Sequence, residues 1–302
     1  MGADRPFLGI LLMLGFCILA PLGDSIAKIL GGTIPLLQLL LVRFGMQAAL
    51  LPFTWRAATI ADARILRLTL WRTLLHIVGI GAMFTALRFL PLADAIAIAF
   101  VMPFIMLLLG KYVLGEVVGA RRLAACVVGF VGTLMVVQPS FAAVGSPALL
   151  PLLVAVVFAL FMMVTRQIAR DVDPIALQAI SGGMASVILL LVFAGAAAGG
   201  SDLAALVWPT VTEALLLLAV GVLGTAGHLL MTWSLRFAPA ATLAPMQYLE
   251  IPFATLIGWL IFRDLPNGLA AAGIAVTMAA GLYIIAREQR QAADQRMAGE
   301  PG

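Results

Sequence analysis

The chain has 302 residues, of which 63% are hydrophobic and only 11% are charged, and its mean hydropathy is +1.13. Soluble domains carry about a quarter of charged residues, so this composition excludes a water-soluble globular protein. The formal net charge of +4 comes from basic residues in short loops between apolar runs, which indicates membrane topology rather than nucleic-acid binding.

Long apolar runs recur from Phe7 to Ala286, and each approaches the ~20 residues that a helix needs to cross a membrane. The runs are apolar on every side, whereas the strands of a membrane barrel alternate apolar and polar residues. The first run lacks a signal-peptidase site, so we expect it to be retained as a helix. We predict an all-α membrane protein of ten transmembrane helices, at residues 7–29, 35–54, 70–89, 92–113, 120–138, 147–167, 175–197, 211–235, 240–262 and 268–287.

Basic residues are divided unequally between the two sides that ten crossings define. The side of the termini holds most of the 18 Lys and Arg residues, Arg72 among them, while the other side holds Lys28, Arg88 and Arg263. Loops rich in Lys and Arg stay in the cytoplasm. The sequence therefore predicts a multi-pass protein of a bacterial-type inner membrane, with both termini cytoplasmic.

The two halves of the chain resemble each other at an offset of about 148 residues. ALRFLPLADA, at residues 86–95, aligns with SLRFAPAATL, at residues 234–243. Because each half has five spans, the second half must enter the membrane in the opposite orientation. This predicts two inverted five-helix repeats, at residues 7–138 and 147–287, and a solvated or disordered cytoplasmic tail at residues 288–302. Inverted repeats suit alternating access to a central site.

Small residues recur in one register in the fifth and tenth spans. They are Ala125, Gly129 and Thr133 in the fifth span and Gly273, Thr277 and Gly281 in the tenth. Such stripes let two helices approach closely. The close approach takes place either within the chain or between the protomers of a homodimer, and the spacing leaves both alternatives open.

Three further features repeat in both halves, in and after the fourth helix of each. These are an aromatic-x-Pro-x-Ala phrase (residues 89–93 and 237–241), a proline within the helix (Pro103 and Pro252) and a closing acid (Glu116 and Asp264). With this pattern the chain resembles the EamA-type branch of the drug/metabolite transporter superfamily over nearly its whole length. DSIAK at residues 24–28, PLLQLLLVR at 35–43 and PMQYLEIP at 245–252 resemble the riboflavin and S-adenosylmethionine uptake members of that branch. The resemblance implies a ten-helix bundle without ATPase machinery. It also implies a central cavity for organic solutes, lined mainly by helices other than the fifth and tenth.

Ionisable side chains inside the spans are the first candidates for function, because each costs about 2.5–3.5 kcal/mol at a helix centre. Arg43 and Glu250 should lie near the midplane, where they either bind the substrate or form a structural ion pair. Gln247 and Tyr248 precede Glu250 closely and offer hydrogen bonds and a stacking face. Gln38, about one turn before Arg43, is a secondary candidate for the cavity wall.

Coupling to an ion needs a group that can gain and lose charge within the membrane. Asp24 lies deeper in the first span than Lys28, and it is either a proton-coupling carboxylate or half of an interfacial ion pair with Lys28. His228 lies in the middle of the eighth span, where it either relays protons or bonds to a neighbouring helix. His76, near the inner end of the third span, has the same two interpretations.

The sequence lacks the motifs of the rival classes. Cys17 and Cys126 lie inside apolar spans, and no His or Cys cluster has metal-ligand spacing, so we expect no cofactor and no metal. A P-loop and the HExxH and GxSxG motifs of membrane-embedded enzymes are also missing. We therefore expect a secondary transporter whose partners are a small organic solute and membrane lipid. Riboflavin or S-adenosylmethionine uptake is the first candidate activity, and export of amino acids, other metabolites or drugs is the alternative.

Overall fold

The structure, a computed structural model, describes residues 5–54, 62–90, 92–115, 118–137, 146–263 and 268–298. Within these ranges all regular structure is helical, with two 3₁₀ turns at Ser146–Ala148 and Asp202–Ala204. The α-helices are α1 Pro6–Leu30, α2 Leu36–Ala48, α3 Leu51–Thr54, α4 Ala63–Ala86, α5 Leu92–Ala99, α6 Met102–Tyr112, α7 Ala120–Val137, α8 Leu149–Ile168, α9 Pro174–Ala198, α10 Val211–Phe237, α11 Ala240–Gln247, α12 Glu250–Phe262 and α13 Gly268–Ala298.

Six segments of the described chain are long and apolar enough to cross a membrane. They are α1, α4, α8, α9, α10 and the pair α2 and α3, taken together as Leu36–Thr54. Shorter apolar helices follow at Met102–Tyr112, Leu123–Gly132, Glu250–Phe262 and Ala271–Tyr283. The outward faces carry large apolar side chains, such as Leu191 and Leu215, while several charged side chains are buried. This distribution is that of a multi-pass membrane protein and confirms the predicted all-α membrane class.

The helix α4 begins at Ala63 rather than near residue 70, where the third span was predicted to begin. The side chain of Asp62 caps its N-terminus by accepting a 2.7 Å hydrogen bond from the backbone N–H of Arg64. As a result Arg72, which was predicted to lie in an inner loop, is fully buried within the bundle. The prediction was wrong because a cluster of arginines near the start of a helix resembles a loop in composition.

The predicted fourth and ninth spans are each divided into two helices. The first division separates α5 from α6 at Phe100, and the second separates α11 from α12 at Tyr248, which follows Phe100 by the 148 residues that relate the two halves. Pro103 and Pro252 lie in the first turns of α6 and α12. Proline has no N–H group to donate, so the hydrogen-bond ladder of a continuous helix is interrupted at both places.

Helices from one half of the chain pack mainly against helices from the other half. The principal pairs are α1 with α10, α4 with α8, α2 with α9, and α7 with α13. In addition, α12 packs on α1, as α6 packs on α8. The same pairings result when the two halves are exchanged, and the space between the halves contains the cavity described below.

Part of the stripe in α13, Gly273 and Thr277, lies where α7 packs against α13. A Cβ atom added to Gly132 would lie 2.5 Å from Thr277 Oγ1 and 2.8 Å from the carbonyl oxygen of Gly273. Part of the stripe in α13 therefore serves close packing within the chain. The homodimer stays a prediction.

Two parts of the sequence interpretation fall at the margins of the described structure. Pro91, Glu116 and Asp264 lie outside the described residues. The helix α13 continues to Ala298, through most of the segment for which a solvated or disordered tail was predicted. That segment is rich in Ala, Gln, Glu and Arg, which are good helix formers, and this explains the added turns.

Candidate functional site

A cavity opens in the middle of the bundle, between the two halves of the chain. Its volume is about 70 Å³, below the ~300–1,000 Å³ of typical ligand pockets, so an organic solute requires the walls to move apart. Its apolar wall includes the four rings Phe16, Phe84, Phe100 and Phe158. Its ionisable lining residues are Asp24, Arg43, His228 and Glu250, which come from four helices, α1, α2, α10 and α12. The structure thus brings together four of the side chains that the sequence predicted to bind substrate or couple ions.

Arg43 reaches the cavity from α2 and lies against α10. Its Nη2 is 3.2 Å from Nδ1 of His228, and its Nη1 has no hydrogen-bond partner. The guanidinium occupies the space where any side chain at Gly224 would stand, because a Cβ atom there would overlap Nη1 and Cζ of Arg43. Gly224 therefore permits Arg43 to approach α10 and leaves one of its nitrogens free to bond a solute.

His228 lies one turn after Gly224 on α10 and holds the other side of the guanidinium. Its Nδ1 lies 3.2 Å from Arg43 Nη2 and 3.1 Å from the carbonyl oxygen of Gly224, so it accepts from the guanidinium in one tautomer and donates to the carbonyl in the other. The Nε2 atom of His228 is buried without a partner. The ring of His228 lies on the ring of His76, with centroids 4.3 Å apart and planes tilted by 31°. The ring of Phe16, in the cavity wall, also contacts His228, with centroids 5.6 Å apart.

The two carboxyl groups belong to other walls of the cavity. Asp24 lies in the last two turns of α1, and Glu250 is the first residue of α12, beside the break in the ninth span. No ion pair within 4.0 Å joins Arg43 to either acid, although the structure describes all three residues. The structural ion pair between Arg43 and Glu250, which the sequence left open as an alternative, is thus not formed here.

Gln247 and Tyr248 lie behind the cavity wall and are fully buried. Nε2 of Gln247 points to the sulfur atoms of Met106 and Met162, at 3.5 and 3.2 Å. The ring of Tyr248 packs against the cavity ring Phe100, with centroids 5.8 Å apart. Neither Gln247 nor Tyr248 is among the described residues that line the cavity. Their predicted contact with substrate would need a change in the wall.

Gln38 lies away from the cavity, at the outer surface of α2. Its side chain makes two hydrogen bonds with the backbone of Val207, 2.8 Å to the carbonyl oxygen and 3.0 Å from the N–H group. Five residues separate Gln38 from Arg43, and at about 100° per residue they point some 140° apart around the helix. The spacing therefore argues against the shared face that the sequence analysis assumed.

The structure also contains a buried polar group that sequence reasoning did not find, which we call the Arg72 cluster. It consists of Arg72 on α4 and its four hydrogen-bond acceptors Thr165, Gln178, Ser181 and Thr232. A signal was available in the sequence of α4, since Thr69, Arg72, Thr73 and His76 recur at the spacing of one helix face. A polar stripe of this kind in an apolar helix indicates a side that faces the interior of the bundle.

The cavity is suited to a solute that carries both donors and acceptors beside an apolar ring system. Arg43 Nη1 can donate to a carboxylate or carbonyl oxygen, while Asp24 and Glu250 can accept from a cation or an N–H group. The phenylalanine rings can stack on a flat ring. The described residues of the cavity thus provide binding groups of both polarities without any arrangement for covalent chemistry.

Known proteins with similar sequences include several transporters. The sequence pattern of the EamA-like transporter family matches residues 7–138 and 145–287. A riboflavin transporter of Rhizobium johnstonii is 31% identical over 252 residues, which cover 83% of this chain and 76% of that protein. An S-adenosylmethionine uptake transporter of Rickettsia bellii is 25% identical, with 88% and 89% covered. A pseudopaline exporter of Pseudomonas aeruginosa is 26% identical, with 83% and 86% covered.

A solved crystal structure has the same fold. It aligns with 91% of this chain and 94% of its own, with a TM-score of 0.67 and 20% sequence identity. The family match extends over almost the whole chain, and the predicted resemblance to EamA-type transporters is confirmed. The chain belongs to the EamA-like transporter family.

Proposed function

We propose that the protein is a secondary transporter that takes up a small organic metabolite by alternating access. The observation that carries this proposal is the cavity between the two halves, which combines Asp24, Arg43, His228 and Glu250 with four phenylalanine rings. A polar site of this kind, near the middle of a membrane bundle and between related halves, is the usual position of a transporter's substrate site.

The proposed architecture is ten membrane crossings arranged as two inverted five-helix repeats. The six long apolar segments and the four shorter ones together supply ten candidate crossings. Two further observations favour a repeat: the breaks at Phe100 and Tyr248 occupy equivalent positions, and the helix pairings survive exchange of the halves. Interrupted helices at corresponding positions of two halves are typical of transporters, and both breaks adjoin the cavity.

The proposed location is a bacterial-type inner membrane, with both termini in the cytoplasm. The excess of Lys and Arg on the side of the termini supports this orientation. The burial of Arg72 removes one residue from that excess and leaves the remaining bias in place. In this orientation the cavity extends from the middle of the bundle towards the outer side, because its wall includes residues near the ends of α1 and α4 and near the start of α8.

Riboflavin or S-adenosylmethionine is the proposed substrate. Both have a flat heterocycle that could stack between phenylalanine rings, and both carry polar groups for Arg43 and the two acids. Two relatives of this chain bear the names of these transport activities, at 31% and 25% identity. Substrate preference depends on a few cavity side chains, so fold and family support the class of solute more strongly than its identity.

Export of amino acids, other metabolites or drugs is the second candidate. A relative named pseudopaline exporter is 26% identical to this chain, which is close to the identity with the S-adenosylmethionine uptake transporter. Family membership therefore leaves the direction of transport open to experiment.

For ion coupling we propose a proton carried by Asp24. Its carboxyl group lies in the cavity wall, and Lys28, one turn later, instead donates hydrogen bonds to the carbonyl oxygens of Leu87 and Leu90 at 3.0 and 2.5 Å. His228 is the second candidate. Its Nδ1 lies 3.2 Å from Arg43 Nη2, so a positive charge on the ring would repel the guanidinium, which would link proton binding to the position of Arg43.

The proposal is tested by uptake of labelled riboflavin and S-adenosylmethionine into vesicles that contain the purified chain in either orientation. We expect saturable uptake of one compound, which Glu250→Gln abolishes. Glu213→Gln is the matched control, because Glu213 caps the start of α10 and glutamine preserves that cap. If neither compound enters in either orientation, uptake of these two metabolites is refuted, and efflux of preloaded amino acids is the next measurement.

A further inference from the structure

The Arg72 cluster lies between the cavity and the end of the bundle where α4 begins. The cavity wall includes residues near the ends of α1 and α4, such as Asp24 and Phe84, residues near the start of α8, and residues in the middle of α10. Arg72 lies in the first half of α4 instead, while Thr165 and Thr232 lie near the ends of α8 and α10. The cluster therefore lies across the path that a solute would have to follow from the cavity to the other side of the membrane.

Four hydrogen bonds hold Arg72 in the middle of this path. Nε donates to Thr165 Oγ1 at 3.0 Å, and Nη1 donates to Ser181 Oγ at 2.8 Å. Nη2 donates to Gln178 Oε1 at 3.0 Å and to Thr232 Oγ1 at 3.4 Å. The acceptors belong to three helices, α8, α9 and α10. The side chain of Arg72 therefore links α4 to three other helices by hydrogen bonds.

Rings fill the space between the Arg72 cluster and the cavity. The guanidinium of Arg72 lies 4.6 Å from the ring centroid of Phe161, and the ring of Phe161 lies 4.7 Å from His76. His76 in turn lies on His228, which bonds Arg43 in the cavity wall. These described side chains, which extend from Arg72 to Arg43, are each almost fully buried and leave no open passage between them.

The acceptors around Arg72 are neutral, so its hydrogen bonds can break more readily than an ion pair could. Hydroxyl and amide oxygens hold a guanidinium less strongly than a carboxylate does, since a bidentate ion pair combines charge with two parallel hydrogen bonds. A buried arginine also regains hydration when water reaches it, which offsets the loss of neutral acceptors. Nε2 of Gln178 and Oγ1 of Thr69 are buried nearby without partners, so the group has polar atoms that water could satisfy.

We propose that Arg72 closes the transport path at the end of the bundle where α4 begins, and that its four hydrogen bonds break and re-form in each transport cycle. Arg72 is thus a positioning residue for alternating access, since it holds α8, α9 and α10 around the closed end and does not touch the cavity. The inference rests on the proposed transport by alternating access. It concerns the opening and closing of the path, which can be tested without knowing the substrate.

The test uses a cysteine in place of Thr69, which is fully buried three residues before Arg72 on α4. The native cysteines Cys17 and Cys126 are first replaced by alanine, and a membrane-impermeant maleimide is added to vesicles of either orientation. We expect slow labelling at this cysteine and labelling at least about tenfold faster after Arg72→Ala, since the loss of even one of its four hydrogen bonds corresponds to that factor. The faster labelling should occur from the side where α4 begins.

Arg67→Ala is the matched control, since Arg67 is an exposed arginine on the same helix. It removes the same charge and should leave the labelling rate unchanged. A second chain that keeps only Cys126, which is buried in α7, reports general unfolding and should stay unlabelled with Arg72→Ala. Should Arg72→Ala fail to fold, Ser181→Ala, which removes only the acceptor of Nη1, must raise the rate at the Thr69 position instead.

An unchanged labelling rate at the Thr69 position, or an equal increase at Cys126, would overturn the proposal. Labelling needs no solute, so a failure to transport riboflavin or S-adenosylmethionine leaves this test intact. Conversely, normal labelling of Arg72→Ala together with saturable uptake would reject Arg72 as the closing residue and preserve the proposed transport function.

Discussion

The contact between Gly224 and Arg43 leads to a prediction that separates binding from folding. In Gly224→Ala the new methyl group would occupy the position of the Arg43 guanidinium. The guanidinium is the end of a flexible side chain, so it can turn away without movement of the backbone. We therefore expect Arg43 to lose its place beside His228 while the helices keep their packing.

The size of the effect follows from the hydrogen bond that is lost. A hydrogen bond to a charged group contributes about 1.5–3 kcal/mol. Because ~1.4 kcal/mol is a factor of ten, the KM for transport should rise about ten- to a hundredfold if Arg43 binds the solute. The free energy of unfolding should stay the same or rise by up to about 1 kcal/mol, since alanine is a better helix former than glycine.

The assay compares Gly224→Ala with Gly227→Ala, another glycine of α10 in the cavity wall. A Cβ atom at Gly227 would lie 3.6 Å from Leu19 Cβ and 3.7 Å from Phe16 Cδ2, which is ordinary contact. Transport kinetics in vesicles and thermal unfolding in detergent are measured for both. Normal KM in Gly224→Ala, or equal loss of transport in the two variants, would refute the role of Arg43 in binding.

Three other predictions address stability, coupling and the outer surface. Gly182→Ala should lower the free energy of unfolding in detergent by about 1–3 kcal/mol, because its Cβ would lie 2.5 Å from a backbone nitrogen of α2 and separate two packed helices. Gly195→Ala, with nothing within 4 Å of its Cβ, should not destabilise the protein. Asp24→Asn should abolish solute-driven proton flux, recorded with a pH-sensitive dye, and retain exchange of solute. Gln38→Leu should leave KM unchanged while hydrogen exchange at Val207 becomes faster.

Much of the helical architecture could be predicted from the sequence because the signals are local. Apolar runs of sufficient length predict membrane helices whatever their neighbours are. The interruptions in the fourth and ninth spans agree with Pro103 and Pro252, which remove a hydrogen bond inside a helix but none in its first turn, where both lie. The positions at which the helices end, Phe100 and Tyr248, depend on packing against the other half and were not predicted.

Arg72 could not be assigned from local composition, because an arginine near the end of an apolar run is common in loops. Its burial is tolerable only because Thr165, Gln178, Ser181 and Thr232 bring four acceptors from three other helices. The acceptors lie 93 to 160 residues from Arg72 in the chain. Polar residues on those helices were visible in the sequence, but their convergence is a property of the fold.

The break between α11 and α12 explains why Glu250 lines the cavity while Gln247 and Tyr248 do not. In a continuous helix Gln247 and Glu250 would lie three residues apart on one face, and both would line the same wall. The helix ends at Gln247 and a new one begins at Glu250, so the chain changes direction between them. Glu250 then lines the cavity, whereas Gln247 points to Met106 and Met162. A site built at interrupted helices therefore exposes single residues to the solute, and helical periodicity cannot identify their neighbours.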